Sequence, residues 1–308
     1  MNCFLRRSAF ATFVFLLFCN VQSAHGSETL DVVYPLRVAQ EKGPHDFVKE
    51  TLKLVLQKSG VPFHMRPSAT PMQQTRAVKE LQEHEELTIL WAGTSPELER
   101  KFLPIRVPIM RGLLGYRLFI IHRDQQPVFD KIRTIEQLWS MHAGQGLGWS
   151  DIRILENANL TVTEAPYELI FKLIDIGRLD YFPRGLLEIE PELREFGRDN
   201  PNITIEKRLL LVYPFSMFFF VNRENTALAD AISRGFEVAY ADGSFERLFN
   251  QHPNIRSALQ MADISNRNRI DIPNPFTTPE TSQIPDRYWY KNDLHSYHEG
   301  AFTTDMTE

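Results

Sequence analysis

Six side chains of this sequence have the chemistry to hold a small charged ligand. Arginine offers a planar fork of N–H donors that matches a carboxylate or a phosphate. An aromatic ring can stack on the apolar part of a ligand, and an aspartate can pair with a cation. The candidates stand beside predicted strand ends or in loops marked by glycine and proline: Trp91, Arg106, Arg111, Trp149, Asp151 and Arg184. This set predicts an anionic or zwitterionic ligand, amino-acid-like or an organic acid.

Arg184 is the main candidate for gripping an anion. It stands after a strand predicted for 178–182, where Pro183 restricts the backbone and Gly185 permits a close approach. Open α/β folds bind ligands at the carboxyl ends of their strands. A solvated surface arginine is the alternative, but at this position we favour the anion grip.

Trp91 and two further arginines are less specific candidates. Trp91 ends a buried strand predicted for 87–91, where an aromatic residue packs in a core as often as it stacks on a ligand. Arg106 and Arg111 bracket Val107 and Pro108. We expect one of these two arginines to help Arg184, and the other to join parts of the protein.

The glycine-rich stretch Gly144-Gln145-Gly146-Leu147-Gly148 is open to two interpretations. It could cradle a phosphate, but it lacks the lysine of a P-loop, so a plain turn is favoured. Such a turn would place Trp149 and Asp151 at the ligand. Asp151 could pair with a ligand cation or cap the following helix.

The sequence contains no recognisable catalytic or metal-binding motif. Neither Gly-x-Ser-x-Gly nor His-Glu-x-x-His occurs, and His295 and His298 lie in a polar tail where a metal site is not expected. The spacing of Glu164, Glu168 and Asp180 does not make an acid/base pair. We therefore expect no enzyme, cofactor or metal, and keep an exported hydrolase as the last alternative.

The first 26 residues predict export. Arg6 and Arg7 precede an apolar run at 9–18 and a small-x-small site at 24–26, as in a cleaved signal peptide. The run is about half the ~20 apolar residues that span a membrane. These features predict that the protein is exported to the periplasm. Leu16-Leu17-Phe18-Cys19 departs from a lipoprotein box at its third residue, so no lipid anchor is expected.

Charge and cysteine content limit the kinds of partner and of chemistry that the sequence allows. Cys3 and Cys19 both lie in the predicted leader, so the exported part has no thiol. Without the leader's two arginines, 32 basic residues stand against 39 acidic ones, a net charge of −7. Because no basic run occurs, nucleic acid is not an expected partner.

The predicted elements alternate between strand and helix. An apolar stripe at 47–57 predicts a helix, and Thr70-Pro71-Met72-Gln73 predicts the start of another that runs to about residue 83. Further strands are predicted at 30–38, 87–91, 115–121, 178–182, 209–213 and 217–221, and further helices open near 134, 166 and 228. This order indicates an α/β protein with sheets covered by helices.

Two motifs within this order carry a resemblance to a known family. Gly177-Arg178-Leu179-Asp180 and Ala241-Asp242-Gly243-Ser244-Phe245 are similar to motifs of the family 3 extracellular solute-binding proteins. The resemblance covers roughly 30–252. Three stretches further resemble an uncharacterised branch of the same superfamily, at 111–117, 144–151 and 181–185.

This resemblance implies a two-lobed periplasmic-binding-protein fold of type 2, with two crossing strands. It places lobe 1 at 27–115 with 214–262, lobe 2 at 116–213, and a tail at 263–308 packed on a lobe. It also implies a monomer that binds a small-molecule ligand and docks on a membrane permease of an ABC transporter for amino acid transport. A receptor ectodomain that senses the ligand is the alternative partner. Amino-acid-binding members carry a Thr-x-x-Arg step, whereas Glu97 follows Thr94 here, so the ligand's identity is left open.

Overall fold

The computed structural model describes residues 29–36 and 44–290. The predicted leader at 1–26 and the two histidines of the polar tail lie outside the described residues. None of the helices in these two described ranges combines the length and the apolar character of a membrane-spanning segment.

Lobe 1 is built from the first part of the chain and from a later return. Its elements are β1 Leu30–Leu36, α1 Pro44–Ser59, β2 Phe63–Pro71, α2 Gln74–Gln82, β3 Ile89–Gly93, α3 Pro96–Lys101 and β4 Leu103–Ile105. In lobe 1, β1 and β2 pair in parallel. The predicted stripe of α1 is confirmed, because Phe47, Val48, Leu52, Val55 and Leu56 are all buried.

Lobe 2 follows as one mixed sheet with helices. Its elements are β5 Tyr116–His122, α4 Gln126–Phe129, β6 His142–Gly146, α5 Ile152–Asn157, β7 Thr161–Ala165, α6 Tyr167–Asp175, β8 Tyr181–Gly185, α7 Ile189–Phe196, β9 Ile203–Ile205 and β10 Leu209–Val212. β6 lies parallel to β7 and β8, whereas β5 is antiparallel to β8, β9 and β10. Strand β8, which carries Arg184, and strand β6, which precedes the segment with Asp151, therefore belong to one sheet.

The chain then returns to lobe 1 and makes a last pass over lobe 2. The remaining elements are β11 Met217–Val221, α8 Thr226–Ala241, α9 Ser244–Gln251, α10 Pro253–Ala262, β12 Asn268–Asp271 and α11 Pro279–Ser282. β11 is central in the antiparallel order β3-β11-β4. β12 instead pairs in parallel with β10 at the edge of the lobe 2 sheet.

Two short connections join the lobes between β4 and β5 and between β10 and β11. They lie side by side, since the N–H of Tyr213 donates to the carbonyl of Gly115 at 3.1 Å. A Cβ at Gly115 would stand 2.0 Å from that tyrosine's carbonyl oxygen, so only glycine permits this approach. The C-terminal segment, which the sequence predicts on one lobe, contacts both.

Gly235→Ala tests the packing of α8 on α1. Alanine normally favours a helix over glycine by about 1 kcal/mol, but a Cβ here would stand 1.9 Å from the carbonyl oxygen of Val55. We expect overpacking to lower the free energy of unfolding by about 1–3 kcal/mol. Urea unfolding measures this free energy, and Ser233→Ala in the same helix is the control. A more stable Gly235→Ala protein would contradict the close helix contact.

Candidate functional site

A cleft of about 100 Å³ lies between the two lobes. Its lobe 1 side and the connections supply apolar and amide side chains, which include Met72, Gln73, Trp91, Phe215 and Met217. Its lobe 2 side supplies all the charged residues that line it: Arg117, Asp151, Glu168, Arg184, Glu188 and Glu192. The two lobes therefore offer a ligand different chemistry.

Arg184 forms a fork-to-fork ion pair on the lobe 2 side. Its Nε and Nη2 each donate to a carboxylate oxygen of Glu192 at 2.6 Å. Nη2 also lies 3.1 Å from Glu188. Arg184 is 4% exposed and Glu192 1% exposed, so this bidentate pair is desolvated and specific in geometry.

Arg117 forms a second buried pair beside the first. Its Nη2 donates to Asp151 at 2.8 Å, and its Nη1 lies 3.6 Å from Glu188. Asp151 also accepts hydrogen bonds from Gln145 at 3.1 Å and from the hydroxyl of Tyr213 at 2.8 Å. Because Glu188 lies between the two guanidinium groups, the two ion pairs form one network.

The pKa values in this network follow from burial and pairing. Burial alone would lower the pKa of Arg184, but Glu188 and Glu192 outweigh it, and the pKa rises. The pKa of Arg117 also rises: burial opposes the rise, and Tyr213 and Asp151 favour it. Burial raises the pKa of Glu192, with Arg184 acting against that rise. Both guanidinium groups therefore remain charged.

Trp149 covers the Arg184 pair. The guanidinium carbon of Arg184 lies 4.5 Å from the Trp149 ring centroid, and Phe182 stacks on the same indole at 6.0 Å. A Cβ at Gly146 would stand 2.3 Å from the indole. Gly146 thus makes room for this tryptophan, and a cation over a desolvated indole is stabilised by the ring's charge distribution.

Direct hydrogen bonds join the two lobes across the cleft. The hydroxyl of Ser150 donates to the carbonyl of Gly93 at 2.8 Å. The side-chain amide of Gln73 donates to Glu168 at 3.2 Å. The lobes are therefore in a closed arrangement.

Four of the six candidates from the sequence line the cleft: Trp91, Trp149, Asp151 and Arg184. Trp91 is 1% exposed and also packs on Tyr34 and Phe219. Asp151 makes no capping hydrogen bond to α5, although it stands at that helix's start. Its carboxylate instead serves the ion-pair network.

Arg106 and Arg111 lie elsewhere and do not line this cleft. Arg106 donates to Glu99 at 2.9 Å, and Arg111 donates to the carbonyl of Trp289 at 3.0 Å. Arg111 thus contacts the C-terminal segment directly. Arg106 contacts it through Glu99, which also accepts a hydrogen bond from Thr278.

The predicted turn at 144–146 is wrong. These residues belong to strand β6, and the positive φ angle of the stretch occurs only at Gly148. A Cβ at Gly144 would stand 2.6 Å from the side chain of Ile170 on α6. Gly144 therefore lets α6 pack closely on β6, and Gly146 makes room there for Trp149.

Sequence reasoning missed Arg117, Glu188 and Glu192. The sequence does contain a signal for Arg117, because this arginine is a lone charged residue in the apolar strand 116–121. A strand buried on both faces tolerates a charge only with a partner. Glu188 and Glu192 are four residues apart, which places them on one face at the start of α7.

Asp151→Ala tests whether Arg117 needs its partner. The change leaves a guanidinium that is 2% exposed without its nearest carboxylate, so we expect the free energy of unfolding to fall by about 3–5 kcal/mol. Glu97→Ala is the control, since its pair with Lys101 is exposed and should change stability by at most about 0.5 kcal/mol. Equal losses in the two variants would show that Asp151 is not needed to neutralise Arg117.

Comparisons with known proteins find no family model and no curated protein that matches. Solved structures do match. An ancestral arginine-binding protein bound to arginine has a TM-score of 0.53 at 16% identity, over 74% of this chain and 99% of that one. A histidine kinase sensor domain with similarity to periplasmic binding proteins has a TM-score of 0.51 at 14% identity, over 72% and 95%.

A third matching structure is an ancestral amino acid-binding protein described as a precursor of cyclohexadienyl dehydratase. Its TM-score is 0.51 at 13% identity, over 72% of this chain and 94% of that one. At such identities the likeness shows the fold alone, and it confirms the fold class predicted from the sequence. The chain has the two-lobed α/β fold of periplasmic binding proteins.

Proposed function

We propose that the protein is a periplasmic solute-binding protein that closes its lobes over a small ligand and presents it to an ABC-type membrane permease. The cleft is the observation that carries this proposal. One wall is a preassembled ion-pair network, the facing wall is apolar and aromatic, and two short connections join the lobes. Such a site fixes a charged ligand group on one side and covers its apolar part on the other.

The charges of the cleft favour a zwitterion over a simple anion. Two guanidinium groups, of Arg117 and Arg184, stand against four carboxylates, of Asp151, Glu168, Glu188 and Glu192. The hydrogen bonds described for Arg184 leave from Nε and Nη2, so Nη1 can donate to a ligand carboxylate. A ligand cation would then lie toward Glu188, with its apolar part against Trp91 or Trp149.

A ligand-sensing module for a membrane receptor is the second candidate. The observation that favours it is the matching histidine kinase sensor domain. Both roles require closure over a ligand. Partner binding separates them: the loaded protein would bind a permease in the first case and a receptor ectodomain in the second. Neighbouring permease and ATPase genes would favour transport.

Binding without chemical conversion is part of the proposal. The buried carboxylates of Asp151 and Glu192 are each hydrogen-bonded to a guanidinium, so both already have partners within the ion-pair network. The matching precursor of a dehydratase makes conversion worth testing. A ligand recovered unchanged after prolonged incubation supports binding alone, whereas turnover supports the exported-hydrolase alternative or another enzyme.

Arg184→Lys tests the ligand's anionic handle. A thermal-shift screen of amino acids, organic acids and neutral sugars first identifies a ligand, and calorimetry then compares variants. We expect a zwitterion as the best ligand and a loss of affinity of roughly tenfold or more in Arg184→Lys, because an ammonium keeps the charge but lacks the planar fork.

Arg66→Lys is the matched control for this test. Its side chain is 43% exposed and pairs with Asp31 of β1 outside the cleft, so ligand affinity should equal that of the parent. Unfolding of both variants in urea checks that each is folded. A neutral best ligand, or parent-like affinity in Arg184→Lys, would contradict the handle assigned to Arg184.

A further inference from the structure

Residues 263–290, here named the C-terminal brace, contact both lobes. After α10 the chain reaches lobe 2, where β12 pairs with β10 and Ile270 lies opposite Leu211. It then returns to lobe 1. Across the described residues the chain therefore passes between the lobes four times, and two of these passages belong to the brace.

The brace is anchored in lobe 2 by Arg267 and β12. The side chain of Arg267 is 6% exposed, and its Nη1 donates to the carbonyls of Glu206 at 2.7 Å and Leu209 at 3.0 Å. Its Nε donates to the carbonyl of Ala262, the last residue of α10, at 2.5 Å. One buried guanidinium thus joins the end of a lobe 1 helix to the lobe 2 sheet.

Asn274 fixes the brace beside the second connection between the lobes. Its side-chain amide donates to the carbonyl of Pro214 at 2.7 Å, and its oxygen accepts from the N–H of Phe276 at 3.0 Å. Pro273 and Pro275 flank it, and each proline fixes its own φ angle. The stretch between the two lobes is therefore stiff.

Glu99 anchors the brace in lobe 1. Its carboxylate is 4% exposed. It accepts hydrogen bonds from the hydroxyls of Thr278 at 2.8 Å and Thr281 at 2.9 Å, which belong to the brace. Thr94 at 2.7 Å and Arg106 at 2.9 Å, both of lobe 1, complete the set. Two of these four donors to the buried Glu99 carboxylate therefore belong to the brace.

Arg111 adds a second contact in lobe 1. It donates to the carbonyl of Trp289 at 3.0 Å, and its own carbonyl accepts from the N–H of Tyr290 at 2.8 Å. Tyr288 packs edge-on against Tyr240 of α8 at 4.6 Å. The end of the brace is thus fixed to the body of lobe 1.

We propose that the brace holds the two lobes in their closed arrangement, and that the cleft opens only when the Glu99 anchor releases Thr278 and Thr281. A stiff segment bonded at both ends resists rotation of one lobe against the other. Opening then costs the hydrogen bonds that the two threonines make to a buried carboxylate. The inference concerns lobe motion and does not depend on which ligand the cleft binds.

A thiol placed in the cleft measures opening directly. Ala92 lines the cleft and is 2% exposed, so Ala92→Cys is labelled only when the lobes separate. Cys3 and Cys19 both lie in the predicted leader, and mass spectrometry identifies the labelled position. We expect the added change Thr278→Val with Thr281→Val to raise the labelling rate roughly tenfold or more, since it removes two hydrogen bonds to a charge.

Thr161→Val with Thr163→Val is the matched control, because both threonines are exposed on β7. Its labelling rate should equal that of Ala92→Cys alone. Urea unfolding of each protein separates lobe opening from global unfolding. If the brace variant is labelled no faster, or faster only in proportion to its change in unfolding equilibrium, the brace does not hold the lobes closed.

Discussion

The buried ion-pair network of lobe 2 is the constraint on which the cleft depends. Arg117 and Arg184 lie on adjacent strands, where Arg117 pairs with Gly185 across β5 and β8. Two charges of one sign cannot be buried side by side without carboxylates between them. Glu188 and Asp151 supply these, and each begins the segment that follows a strand of the sheet. The network therefore holds the residues that precede α5 and α7 against the lobe 2 sheet.

The sequence predicted much of the fold because burial follows periodicity. The stripe of α1 was sufficient to identify its buried face. The capping pattern at Thr70 predicts the start of α2 too early, since Thr70 and Pro71 belong to strand β2 and the helix begins at Gln74. The capping signal was present at Thr70, but pairing of β2 with β1 overrode it. Local helix propensity is a weak preference, and pairing with a strand far away in the sequence can override it.

The site was predictable where it follows strand ends and unpredictable where it depends on distant partners. Trp149 and Asp151 line the cleft, although the glycines before them belong to strand β6 and do not form the predicted turn. Arg106 and Arg111 are candidates because they bracket Val107 and Pro108, but their partners include Trp289, which lies 178 residues from Arg111. No local sequence pattern indicates such a contact. Only the three-dimensional structure shows that these two arginines lie outside the cleft.

The division of chemistry between the lobes has a consequence for binding. Because the charged groups are already assembled in lobe 2, a ligand can be oriented there before the lobes meet. Lobe 1 then contributes Trp91, Met217 and other apolar surface, whose approach expels water from the cleft. Expelling water lowers the local dielectric and strengthens every charged contact inside. In the proposed binding role, the charged groups of lobe 2 would orient the ligand, and the apolar surface of lobe 1 would cover it.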